Sequence, residues 1–165
     1  MSVAVAVLGL VTLQRLSELV LARRNTRRLL ARGAVEVASE HYGLIVALHA
    51  AWLCGLWLLA WDKPVTVGWL VVFILLQLVR VWVLRTLGDR WTTRIIVLPG
   101  QPLVKRGPYR LLSHPNYAVV ICEIAVLPLV FGLTSYALVF SVLNAAVLSI
   151  RIRAEAGALR QTAVT

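Results

Sequence analysis

The chain alternates long apolar stretches with short polar or strongly basic ones. Apolar runs extend from Val3 to Leu21, Gly43 to Trp61, Val65 to Leu84, Tyr117 to Leu133 and Ser135 to Ile150. Each is close to the ~20 residues with which an α-helix crosses a hydrocarbon layer roughly 30 Å thick, so the pattern predicts five transmembrane helices. Asp62-Lys63-Pro64 and Leu133-Thr134-Ser135 read as tight turns, whereas Ala22 to Tyr42 and Arg85 to Asn116 are long and basic. The expected fold is an all-α integral membrane protein of two helical hairpins plus one helix, with a polar loop before the fourth helix. It is expected to be a single membrane-embedded unit over 1–165, with three helices in 1–86 and the loop and C-terminal hairpin in 87–165. There is no internal repeat and no low-complexity segment.

Composition agrees with this picture. Of 165 residues, 60% are hydrophobic and the mean hydropathy is +0.84, which leaves no length for a separate soluble domain. The net charge of +10 does not point to nucleic acid, because the basic residues lie in blocks between apolar runs. Of the seventeen Lys and Arg, only Lys63 falls on the side of the short turns. The positive-inside rule then places the N-terminus outside and both long connections and the C-terminal tail in the cytoplasm. The first run lacks a basic leader and a small-residue cleavage site and carries Arg15 and Glu18, so it reads as a retained helix. Cys54 and Cys122 show neither pairing nor metal-ligand spacing and are expected to be packing residues; no metal site is predicted.

Chemistry is concentrated in Leu87 to Tyr117, LGDRWTTRIIVLPGQPLVKRGPYRLLSHPNY. This segment is too polar to cross a membrane and longer than most helix connections, which run about 2–8 residues. Gly107-Pro108 signals a turn. His114-Pro115 signals a helix start, whose unpaired N–H groups would face the loop and suit a carboxylate or phosphate. Downstream, Arg151 and Glu155 are four apart on one helical face and Asn144 is seven before Arg151, a spacing that predicts a polar stripe descending into the bilayer. Its plain alternative is a snorkelling arginine with a local salt bridge. Glu123, inside the fourth helix, must face protein or a polar cavity, and is expected either to pair with Arg80 or to act in the site. Arg15 and Glu18 read as a local ion pair. His41 and His49 share a face at the start of the second helix, where either would be a packing residue or a substrate contact.

The run LVKRGPYRLLSHPNY, followed 34 residues after Tyr117 by Arg151 and Glu155 as RxxxE, resembles the isoprenylcysteine carboxyl methyltransferase family, especially its small bacterial members. The resemblance spans Leu87 to Leu159. It implies an enzyme of the bacterial inner membrane that takes S-adenosylmethionine from the cytosol and a lipophilic or lipid-anchored acceptor from the bilayer, and methylates a carboxyl, enol or phenol oxygen. It further implies cofactor contacts from Gln101, Pro102, Leu103, Val104, Tyr109, His114, Pro115, Asn116, Tyr117 and Glu155. Arg94 aligns with another family cofactor contact of different residue type. Arg151 is the residue expected to engage the acceptor, with Asn144, Glu123 and His41 as further substrate candidates. Arginine does not deprotonate a substrate, but it favours an ionised oxygen beside it. The family usually has a second acidic residue where this chain has Ala156, and an aromatic, acidic tail where it stops at Thr165. The cofactor cover is therefore either less complete or built from Ala22 to Tyr42. Lipophilic phenols or alkylpyrones are the acceptors that the small relatives suggest.

Two other readings compete. A sterol-reductase-like membrane enzyme would bind a nicotinamide dinucleotide, which calls for a longer polar segment. A non-enzymatic lipid-binding protein would spread its polar residues along a groove, whereas here they gather at one face.

Overall fold

A computed structural model of the chain describes residues 2–37, 39, 42–102 and 104–162. Its helices are α1 (Val3–Ala31), α2 (Tyr42–Ala60), α3 (Val67–Leu87), α4 (Pro115–Val130) and α5 (Thr134–Thr162). Helices α1, α2 and α5 and the span Val67–Arg90 are long and apolar enough to cross a membrane, and α4 is a shorter apolar helix. The protein is thus an all-α membrane protein, and Leu10, Leu58, Leu78 and Val142 project from its outer surface as lipid-facing side chains do.

The helix ends depart from the hydropathy boundaries for identifiable reasons. Helix α1 runs ten residues past Leu21, because the basic segment that follows is built largely of Arg, Leu and Ala, strong helix formers. It stops at Gly33, whose φ of +85° a side chain would resist. Its N-cap is Ser2, which accepts the Val5 N–H at 3.2 Å and donates its hydroxyl to the Trp61 carbonyl at 3.0 Å, pinning α1 to the end of α2. Helix α5 likewise continues beyond Ile150 and carries Arg151 and Glu155 on regular helix.

A two-stranded antiparallel ribbon joins the two long connections. Strand β1 (Val35–Val37) pairs with β2 (Ile95–Val97), Glu36 lying opposite Ile96. The β-branched runs beside Gly33 and Pro99-Gly100 carry that signal in the sequence. At the opposite end, the Thr66 N–H donates to the Val130 carbonyl at 2.8 Å and ties the α2–α3 turn to the end of α4. Helix α4 is the buried member of the bundle, packed on α3 and α5. Its Ile124, Leu127 and Val130 join Leu8, Trp52 and Leu56 in the core.

The cysteines correct one expectation. Cys54 and Cys122 are exposed rather than packed. In a bilayer protein the outer face is as apolar as the interior, so an apolar run does not imply burial.

Candidate functional site

The loop between α3 and α4 is held by side chains that fix its backbone. Asn25 of α1, 1% exposed, donates to the Trp91 carbonyl at 2.9 Å and the Gly88 carbonyl at 3.2 Å. Arg90 donates to the Pro102 carbonyl at 2.7 Å and to Gln101 Oε1 at 2.8 Å, so both residues lie on one guanidinium. The Gly107–Arg110 turn is 3₁₀-helical and docks on the end of α3, where Arg106 donates to the Thr86 carbonyl at 3.3 Å. Pro108 is buried in that turn and Val104 is half-buried before it.

Helix α4 starts at Pro115 with His114 as its N-cap, the start that His-Pro signals. The His114 side chain caps nothing, but its carbonyl accepts the Tyr117 N–H at 3.1 Å and the Ala118 N–H at 3.2 Å, and Pro115 has no N–H, so Asn116 carries the first-turn N–H without a partner among the described residues. The His114 ring stacks on Tyr117, centroids 5.2 Å apart and planes 11° from parallel. Asn116 Oδ1 takes a long hydrogen bond of 3.5 Å from the Trp91 indole.

Tyr117 joins α4 to α5. Its hydroxyl donates to Glu155 Oε2 at 2.6 Å and accepts from Arg151 Nε at 2.9 Å, and the Arg151 guanidinium lies 5.6 Å from the ring centroid. A carboxylate, a phenol and a guanidinium thus share one hydrogen-bonded chain. Burial, with the Glu155 carboxylate adding to it, pushes the Tyr109 phenol up to about 12.

Below this triad lies an open cleft of about 360 Å³, walled by α1, α2, α4 and α5. Arg151, Tyr117 and Asn116 line its loop end, and Thr12, Leu53 and Cys54 line its deeper part. Leu16 of α1 and Val46 of α2 line it too and are exposed on the lipid-facing surface. The cleft is mostly apolar and reaches the bilayer sideways.

Its inner wall holds an ion cluster. Arg80 of α3 donates to both oxygens of Glu18 and, at 2.6 Å, to Glu123 Oε2. Arg15 donates to Glu18 at 3.0 Å and to Glu123 at 2.7 Å. Gln77 donates to Glu123 at 2.9 Å and accepts from Gln14 at 2.8 Å. The expected Glu123–Arg80 and Arg15–Glu18 pairs are both present, but as parts of one network across three helices. Two guanidiniums and two carboxylates cancel, which is how charge is tolerated at that depth. Gln14 and Glu18 at i, i+4 and Gln77 and Arg80 at i, i+3 were the signal for it in the sequence.

Other residues singled out in the sequence lie elsewhere. Arg94, at the start of β2, pairs with Glu36 at 2.7 Å and stacks over Tyr42 at 4.5 Å; both it and Arg151 line a small recess beside the cleft. The polar stripe is broken: Arg151 and Glu155 meet at Tyr117, but Asn144 is 1% exposed, its Oδ1 has no partner among the described residues, and it does not line the cleft. Asn144 lies about two turns before Arg151 on nearly the same face, at a level of α5 where that face is buried in the bundle. His41 and Leu103 fall outside the described residues. His49 lines the cleft, as do Tyr42 and Thr93, which hydrogen-bond each other at 3.1 Å and had no distinguishing sequence signal.

Residues 69–161 match the model of the isoprenylcysteine carboxyl methyltransferase family. An uncharacterized protein of Bacillus subtilis (strain 168), YpbQ, is 40% identical over 162 residues, covering 95% of this chain and 96% of that protein. An uncharacterized protein of Haemophilus influenzae is 24% identical over 152 residues, covering 88% of each chain. No solved structure matches.

Proposed function

The chain belongs to the isoprenylcysteine carboxyl methyltransferase family, and on that premise we propose that it transfers the methyl group of S-adenosylmethionine to an oxygen of a lipophilic acceptor drawn from the bilayer. The observation that carries this reading is the Tyr117, Glu155 and Arg151 chain placed where a polar loop meets a laterally open apolar cleft. A water-soluble reactant and a lipid-soluble one have different routes to such a point.

The residues present fit the cofactor. The free Asn116 N–H at the start of α4 suits its carboxylate, and Glu155 offers a negative charge for its ammonium. Gln101, Pro102, Val104, Tyr109, His114, Pro115, Asn116 and Tyr117 would form its surroundings, with Arg94 at the margin. When bound, the cofactor supplies a methyl group on a sulfonium, an electrophile ready for an anionic oxygen.

The remaining work falls to the chain. Arg151, held by Tyr117, orients an acceptor carboxyl, enol or phenol oxygen and favours its ionised form in a site of low dielectric. The apolar walls exclude water and align the acceptor, and alignment alone is worth about 7–11 kcal/mol in well-oriented systems. The basic connections favour placing this face in the cytoplasm and the N-terminus outside.

The test is transfer of radiolabel from methyl-labelled S-adenosylmethionine to a lipid extract by purified protein in nanodiscs. Labelled lipid that gains one methyl group by mass spectrometry is expected. Absence of transfer to every lipid fraction, from protein that remains folded, would refute the reading.

A further inference from the structure

The cleft has two polar stations. The outer one is Arg151 with Tyr117; the inner one is formed where Arg15 of α1 and His49 of α2 line the same cavity. Tyr117 and Glu123 mark the two levels on α4 and are six residues apart, about 9 Å along the helix axis.

The inner station has one hydrogen-bonding position left open to the cleft. His49 Nδ1 lies 2.8 Å from the Ile45 carbonyl oxygen. A carbonyl only accepts, so the ring proton sits on Nδ1 and Nε2 is left with a lone pair. Nε2 has no hydrogen-bond partner among the described residues, and His49 faces the cleft. Arg15 commits Nη1 to Glu18 and Nη2 to Glu123, and its Nε–H is closed off from the cleft, so the open hydrogen-bonding position of the inner station is His49 Nε2. An unpaired acceptor is costly where no bulk water reaches.

A ligand group that fills this position must donate to His49 Nε2. A hydroxyl on an otherwise apolar body does so without bringing a charge into the cleft. A ketone or ether only accepts and leaves His49 unfilled. A carboxylate would meet Glu18 and Glu123, and the cluster of Arg15, Arg80, Glu18 and Glu123 has no net charge with which to draw it in.

We propose that the inner station binds a hydroxyl group carried on the hydrophobic body of the acceptor, about 9 Å from the methylated oxygen. The cleft therefore selects hydroxylated lipophiles over their plain alkyl counterparts. This rests on the reading of the cleft as the acceptor site.

The experiment compares a para-alkylphenol bearing a hydroxyl on the third chain carbon with its deoxy twin, each titrated into the full-length protein in nanodiscs. Binding is read by quenching of Trp52 and Trp91, which line the cleft. This readout needs neither cofactor nor turnover, so loss of methyl transfer and loss of hydroxyl selection are separate results. The wild-type protein is expected to bind the hydroxylated probe about tenfold more tightly. In His49→Leu the ratio should collapse to within about twofold, and His49→Gln, which restores a side-chain acceptor, should recover part of it. Equal affinity of the wild-type protein for both probes, or a ratio that survives His49→Leu in protein with unchanged thermal unfolding, would overturn the proposal.

Discussion

The Tyr117 hydroxyl donates to Glu155 Oε2 across 2.6 Å, joining the first turn of α4 to the loop-side end of α5. Glu155 has no hydrogen bond from any other side chain among the described residues, so this phenol fixes its carboxylate. Tyr117→Phe keeps the ring that stacks on His114 and removes only the hydroxyl. Loss of one hydrogen bond to a charged group predicts about a tenfold fall or more in affinity for S-adenosylhomocysteine. Glu155→Gln, which removes the charge itself, should cost more. Isothermal titration in detergent measures both, and full affinity in the two variants would take Tyr117 and Glu155 out of the cofactor site.

Arg151 receives the opposite prediction. It borders both the triad and the cleft, so its charge is expected to act on the acceptor. A lysine keeps that charge but loses the planar fork that holds an oxygen and the Tyr117 hydroxyl together. In Arg151→Lys, turnover should fall about 100-fold, the scale of a misplaced reacting group, with S-adenosylhomocysteine affinity reduced far less. Equal losses in the two measurements would instead assign Arg151 to cofactor binding.

Helix number was legible because each apolar run had to satisfy its own backbone hydrogen bonds in lipid. Helix ends were less legible. Arg27 and Arg28 look like a loop by hydropathy, yet they continue α1, since propensity and not polarity decides outside the membrane. Glu123 was readable as a residue needing Arg80, because isolated charge at that depth is excluded. Arg15 reaching α4 was not, since contact between α1 and α4 depends on helix packing and not on spacing. Arg151 and Glu155 were legible as one face by their period. Asn144 shares nearly that face, but the period does not tell that the face is buried at its level and stays outside the cleft, which depends on how the neighbouring helices pack.

The ion cluster yields a stability prediction. Glu123, 1% exposed, accepts from Arg15, Gln77 and Arg80. Glu123→Leu fits an apolar environment but leaves two guanidiniums short of a partner. Breaking a buried pair from one side costs about 3–5 kcal/mol. Glu123→Gln retains an acceptor oxygen and should lose less. Thermal or denaturant unfolding in detergent checks the order; a Glu123→Leu protein as stable as the wild type would mean that water reaches the cluster.

Tyr109 gives a pH dependence. Its folded value of about 12 lies above the ordinary phenol value near 10, first through burial and then through Glu155. The folded state therefore holds the proton more tightly than the unfolded chain does. The stability due to this site is complete below pH ~10 and is lost as pH rises toward ~12. The difference in unfolding temperature between the wild type and Tyr109→Phe should be constant up to about pH 10 and shrink above it. In Glu155→Gln the phenol should ionise at lower pH than in the wild type, as read by its ultraviolet difference spectrum.

Gly107 tests whether the loop must dock on α3 for the site to form. Its φ is +55°, and a Cβ built there would lie 2.6 Å from Thr86 Oγ1 and 3.1 Å from Thr86 Cγ2. Gly107→Ala therefore meets two separate obstacles: a backbone conformation that side chains resist, costing about 1–2 kcal/mol, and a collision with α3. Thr86→Ala removes most of the second, leaving Trp82 Nε1 at 3.3 Å, and leaves the first. The single Gly107→Ala change should displace the Gly107–Arg110 turn and with it Tyr109, lowering S-adenosylhomocysteine affinity at least tenfold by the same scale as a lost hydrogen bond. Adding Thr86→Ala should recover part of that affinity but not all. Complete recovery would show that only the collision mattered, and no loss in the single variant would show that the turn can leave α3 without disturbing the site.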